Sequence, residues 1–163
     1  MADKPRSERM FGKKQQPGIA QQYAWCLTRA ADVFASRFAE PSTTVAERIL
    51  RFEAIALFGA LVAWRYEKAG DIATRDAFFQ HMFADFDAAM REKGVSDLKV
   101  GKEVKKLASA FYGRMSAYTP AFEAQSPAML EAAMTRNHVL TASDDTAQVV
   151  AAVMADIGTA KAA

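Results

Sequence analysis

The sequence has 163 residues, 51% hydrophobic and 25% charged, with apolar positions at helical rather than alternating spacing; it is long enough for one domain with one core, of almost wholly α class. Cys26 is the only cysteine, which excludes an intrachain disulfide and any multi-cysteine metal site and fits a reducing compartment. The net charge of +2 is too small to argue by itself for nucleic acid or an anionic membrane, but it is unevenly placed: residues 1–18 carry +3 and residues 91–118 carry +4.

The first 18 residues have charges and glutamines where a signal peptide needs an apolar stretch, and Asp3 and Glu8 argue against a mitochondrial presequence. They read as a mobile arm of a cytoplasmic protein. Residues 21–38 keep Tyr23, Ala24, Leu27, Ala30, Ala31, Phe34 and Phe38 on one helical face, and Glu40-Pro41 ends that helix. Residues 45–68 form a second helix whose middle, AIALFGALVAW, is apolar all round and therefore buried. Arg51, Glu53 and Arg65 bracket this run, which is too short to span a bilayer. Gly59 at its centre predicts that another helix crosses closely there.

Ala69-Gly70 stops the second helix, and Thr74 is read as the N-cap of a third that reaches Lys93 with Phe79, Met82, Phe83, Phe86, Ala89 and Met90 toward the core. Gly94 is its C-terminal stop, at a positive φ. A fourth helix covers residues 102–118, closed by Thr119-Pro120. Ser126-Pro127 opens a fifth through Asn137, with Met129, Leu130, Ala133 and Met134 inward. Ser143 starts a last helix with Asp144 and Asp145 in its first turn; Val149, Val150, Val153, Met154 and Ile157 form its stripe and Gly158 its end. The expected organisation is an arm (1–18), a single all-α bundle of about five to seven helices around a buried central one (19–158), and a flexible tail (159–163).

Chemistry-bearing patterns are sparse. His81 and Asp85 stand four apart on one helical face that continues to Glu92, a geometry able to share a metal or a proton, but no second ligand helix accompanies them and a solvated face is the better reading. Glycine-rich phosphate loops, nucleophile elbows and Cys/His pairings are missing, so neither catalysis nor a cofactor or metal is expected. Phe78, Phe79, Phe83, Phe86, Phe111 and Tyr112 could line an apolar cofactor pocket, although phenylalanines at this spacing are usually core.

The basic side of the fourth helix is more informative. Lys102, Lys105, Lys106, Ser109 and Gly113 oppose Val104, Leu107, Ala108, Phe111, Met115 and Tyr118. A mid-helix glycine on an exposed face costs about 1 kcal/mol, and close approach of a partner is one reason to keep it. Arg91, Tyr112 and Arg114 complete the candidate partner-binding set. A helix-turn-helix reading of GVSDLKVGKEVKKL is available, but arginine, asparagine and glutamine are absent from the helix start, so sequence-specific nucleic acid is not expected.

MFADFDAAMREKGVSDLKVGKEVKKLASAFYGRMSAY resembles the central signature of the ubiquinol–cytochrome c chaperone family. The matching positions are Met82, Phe83, Asp85 and Asp87; the loop Arg91, Glu92, Gly94, Val95, Asp97 and Leu98; and Ala110, Phe111, Tyr112, Gly113 and Arg114, followed by Ala117 and Tyr118. The likeness extends over residues 51–137, with Ile49-Leu50 standing where the family has Asp-Gly and Phe58 where it has a histidine. It implies a binding protein without turnover that engages newly made cytochrome b during assembly of the bc1 complex, at or near the inner face of the membrane, with the ribosome as a possible partner. The alternatives are a nucleic-acid- or ribosome-associated helical module using the basic face of residues 102–114, and an enzyme using His81 and Asp85.

Overall fold

The computed structural model describes residues 18–159, so the expected arm up to residue 17 and the last four residues lie outside the described residues. Six helices form, α1 (Ile19–Val33), α2 (Val45–Lys68), α3 (Ile72–Glu92), α4 (Asp97–Ala124), α5 (Pro127–Arg136) and α6 (Thr146–Thr159), with a 3-10 turn at Ala35–Arg37. No strand occurs among the described residues.

The apolar run of α2 makes it the axis of the bundle. Thr44 and Glu47 close a capping box at its start, and Gly70, at φ +72, follows its C-cap. Between residues 53 and 64 only Ile55 is not fully buried. Each large apolar side chain in that run is worth roughly 1.5–3 kcal/mol relative to exposure, which fixes α2 inside. Glu53 meets Arg114 and Trp64 meets Glu123, so α4 runs alongside α2 in the same direction. Phe52 packs on Phe86 and Tyr66 on Phe78, so α3 runs antiparallel to α2. The expected close crossing occurs at Gly59, where a Cβ would lie 3.1 Å from Phe111 Cε2 and 3.3 Å from Met82 Sδ.

Several boundaries depart from the sequence reading. α1 stops at Val33 because the chain leaves helical dihedrals at buried Phe34 and turns, bringing Arg37 onto Asp144 and the Val139 carbonyl. Ala24 faces solvent. Asp71, not Thr74, caps α3 by accepting from the Thr74 amide at 3.1 Å, and Thr74 is itself buried; Ala89 is exposed. α4 begins at Asp97 and passes through Pro120 to Ala124. The final turn persists because Ala121 and Phe122 are fully buried, with the Phe122 ring 5.6 Å from Trp64; this burial offsets the roughly 3 kcal/mol that an interior proline costs. Met129 is 43% exposed rather than inward. Asp145 rather than Ser143 caps α6, accepting from the Gln148 amide, because Asp144 is turned toward Arg37 and the amide and hydroxyl of Thr141; α6 ends at Thr159, one residue past Gly158.

Candidate functional site

α3 and α4 form an antiparallel hairpin whose tip is built by the family-like loop. Lys93 caps α3, Gly94 takes φ +80, and the Val95 amide returns to the Met90 carbonyl at 3.1 Å, which is why a glycine stands there. Arg91 clamps the tip by donating to Asp87, one turn back, and to Asp97, the first residue of α4. Its guanidinium is therefore held still more firmly in the charged form than usual, by Asp87 first. Of the candidate partner-binding residues, Arg91 thus has an internal task.

Arg114 has a second one. Its Nε and Nη2 donate to the two oxygens of Glu53 at 2.8 and 2.6 Å, and Glu53 is buried in α2. This bidentate pair joins α4 to the bundle axis. Asp85 accepts the Tyr23 hydroxyl at 2.6 Å, while His81 lies edge-on to the Tyr23 ring, so the two members of the His81–Asp85 pair are turned to α1 rather than to a common ion. Burial, and then Asp85, push the Tyr23 hydroxyl well above the usual phenol range. Among the described residues no group of three histidines, cysteines or carboxylates is placed to hold a metal. The Cys26 thiol is fully buried and pushed up to about 12 by desolvation.

The aromatic set packs ring against ring. Phe79 packs on Phe83, Phe111 and Tyr112, and Phe83 on Phe86, with ring centroids 5.4 to 6.3 Å apart. Met82, Phe111 and Tyr118 are fully buried, Ala110 and Phe83 half-buried. Burial likewise pushes the Tyr118 hydroxyl upward.

What remains on the surface is the outer side of α4. Lys102, Lys105, Lys106, Ser109 and Gly113 are all exposed, as expected, and Tyr112 is 47% exposed. Lys106 pairs with Glu103 at 3.1 Å; Lys93, Lys99, Lys102 and Lys105 form no ion pair among the described residues. An added Cβ at Gly113 would meet nothing within 4 Å, so its backbone is bare toward solvent. Three features were not read from the sequence: the Glu53–Arg114 pair, the Tyr23–Asp85 bond, and Leu98, a signature residue 95% exposed. Leu98 could have been found, since it stands four and seven residues before Lys102 and Lys105 and so falls on their face.

An open cleft of about 340 Å³ lies elsewhere, between the α1–α2 connection and the α5–α6 loop. Its cations are spent internally: Arg37 on Asp144, and Arg51 on the carbonyls of Arg37 and Glu40. No helix among the described residues is long and apolar enough to cross a membrane.

None of the curated proteins compared matches the chain. The crystal structure of a Cbp3 homolog from Brucella abortus is similar: TM-score 0.67 and 29% identity, over 91% of this chain and 83% of that one. The sequence model described as ubiquinol–cytochrome C chaperone matches residues 45–162, which carries the likeness back to the start of α2 and forward through α6, beyond the residues 51–137 around the central signature. With the family match spanning most of the sequence and a shared all-helical architecture, this chain belongs to the ubiquinol–cytochrome c chaperone family.

Proposed function

We propose that the protein is an assembly chaperone that binds newly synthesised cytochrome b, or its hydrophobic segments, during biogenesis of the bc1 complex. It acts by binding and release rather than by turnover, in the cytoplasm at the inner face of the membrane. The observation that carries this reading is the family match over residues 45–162. The disposition of the signature supports it: Arg91 and Gly94 hold the α3–α4 hairpin, Arg114 fastens α4 to α2 and Asp85 ties α3 to α1, whereas the signature residues Leu98 and Gly113, on the exposed face of α4 beside Lys102, Lys105 and Ser109, are left without an internal role. Family positions that are neither buried nor paired suit a partner.

The experiment is a pull-down of newly synthesised membrane proteins with the tagged full chain. Enrichment of cytochrome b over other membrane proteins is expected. Recovery of RNA instead, falling steeply between low and moderate salt, would replace this reading with the ribosome- or nucleic-acid-associated one.

A further inference from the structure

The outer face of α4 carries an aliphatic side chain where solvation alone would place a polar one. Leu98 shares one stripe, at helical spacing, with Lys102, Lys105, Ser109, Tyr112 and Ser116, all exposed, directly opposite the buried Val100, Phe111 and Tyr118. At the other end of the stripe the Tyr112 ring stands edge-on to Phe79 (5.5 Å) and to Phe83 (6.0 Å), which holds it upright with its outer edge in water. No carboxylate interrupts the stripe between these two anchors: Asp97 is held by Arg91, and Glu103 lies to one side on Lys106. Four lysines of this corner, Lys93, Lys99, Lys102 and Lys105, are left without an ion-pair partner among the described residues. At Gly101 and Gly113, on either border of the stripe, an added Cβ would meet nothing within 4 Å.

We propose that this stripe lays α4 along an anionic bilayer surface. Leu98 enters the boundary between headgroups and acyl chains, Tyr112 sits at headgroup level, and the lysines lie over lipid phosphates with their alkyl stems down. From Leu98 to Ser116 the stripe runs about 27 Å along the helix, so the contact is lengthwise rather than at one point. Lysine as a compact point charge, with no arginine, asparagine or glutamine on the stripe, suits a surface of phosphates better than a base-reading one, and Leu98 gains nothing from an RNA backbone. One aliphatic anchor and a few charges give a contact that is reversible and salt-labile. The inference deepens the chaperone reading, since it brings the chain to the surface into which a membrane client is inserted, but the contact itself requires no client.

The test is co-sedimentation of the full chain with vesicles of phosphatidylcholine alone and of phosphatidylcholine with 30% phosphatidylglycerol. Binding is expected to the anionic vesicles only and to fall as salt is raised from 0.05 to 0.5 M. Each lysine contributes about fivefold to partitioning near such a surface, so K102E/K105E lowers binding about 25-fold or more. L98E lowers it about tenfold with unchanged circular dichroism. In L98W the added indole shifts its emission to the blue on anionic vesicles and not on neutral ones. Equal binding to both vesicle types, or binding unaltered in L98E and K102E/K105E, overturns the proposal. So does loss of RNA or of detergent-solubilised cytochrome b binding in these variants with vesicle binding intact, which would assign the stripe to those partners. Failure of vesicle binding alongside intact capture of cytochrome b removes this inference and leaves the chaperone reading standing.

Discussion

The two halves of α4 continue one apolar stripe and differ in what covers it. In the second half Phe111, Met115, Tyr118, Ala121 and Phe122 are buried in the common core, and Arg114 is fastened to Glu53. In the first half only Val100 is buried, apart from that core, while Val104, Leu107 and Ala108 are half-covered and Leu98 is bare. The same signature therefore does two jobs: Phe111, Arg114 and Tyr118 build the scaffold, and Leu98, Tyr112 and Gly113 remain outside it. A family motif is thus no guide to function until each of its residues has been asked what it touches.

The scaffold side of this comparison should break most severely at α2. Leu61 is fully buried on the face of the bundle axis, and Leu61→Asp places a carboxylate there with no partner, a cost of several kcal/mol that rivals the whole stability of a domain. The variant should be insoluble or lack a cooperative melt. A soluble Leu61→Asp protein with a normal melting curve would mean that α2 is not the axis.

The Glu53–Arg114 pair comes next. Glu53→Ala leaves a guanidinium at a side-chain position 27% exposed, so the loss should be about 3 kcal/mol, the lower end for a broken buried pair. Replacing both partners by methionine should recover most of it, because the desolvation of two charges is then removed together. Chemical denaturation of the single and double variants measures this. Equal losses in both would show that packing at the site, not the unpaired charge, sets the cost.

What the sequence made legible follows from how local the deciding interactions are. The bounds of α2 were exact because Thr44, Glu47 and Gly70 set them within a turn, and the positive φ at Gly94 is likewise a local matter. The end of α4 was misread because Pro120 is a strong local signal that distant packing against Trp64 overrides. The candidate surface was half legible: spacing alone separates the lysines from the core, whereas the engagement of Arg91, Asp85 and Arg114 depends on residues on other helices or across a loop. Charged signature residues are ambiguous in sequence for that reason.

The hairpin tip tests the boundary between the two regions. At φ +80, a β-branched residue is strained, so Gly94→Val should cost more than about 1 kcal/mol, read as a fall in melting temperature. An unchanged melt would show that the loop relaxes freely and that Arg91 does not fix it. Smaller still, and opposite in sign on the two sides, are the effects of adding one methyl. Gly59→Ala pushes against Phe111 and Met82 and should destabilise, whereas Gly113→Ala meets nothing and should stabilise by roughly 0.5–1 kcal/mol through helix propensity. Two shifts of the same sign would erase the distinction between packed and bare glycines.

The smallest effect on stability should accompany a large effect on function. Lys102, Lys105 and Lys106 are exposed and, among the described residues, only Lys106 of the three is paired, with Glu103, so reversing all three to glutamate should cost no more than about 0.5 kcal/mol per site and leave the circular dichroism unchanged. A partner surface that is negative would then face three like charges, which can cost several kcal/mol in binding and slows encounter at low ionic strength. Accumulation of the bc1 complex in cells carrying only this variant is the readout, and it should fall while the level of the chaperone itself does not. Because the substitution leaves Phe111, Arg114 and Tyr118 untouched, loss of the complex cannot be traced to the scaffold half of α4. Normal accumulation with a folded triple variant would show instead that the lysines are merely solvated and that the working surface lies off this helix.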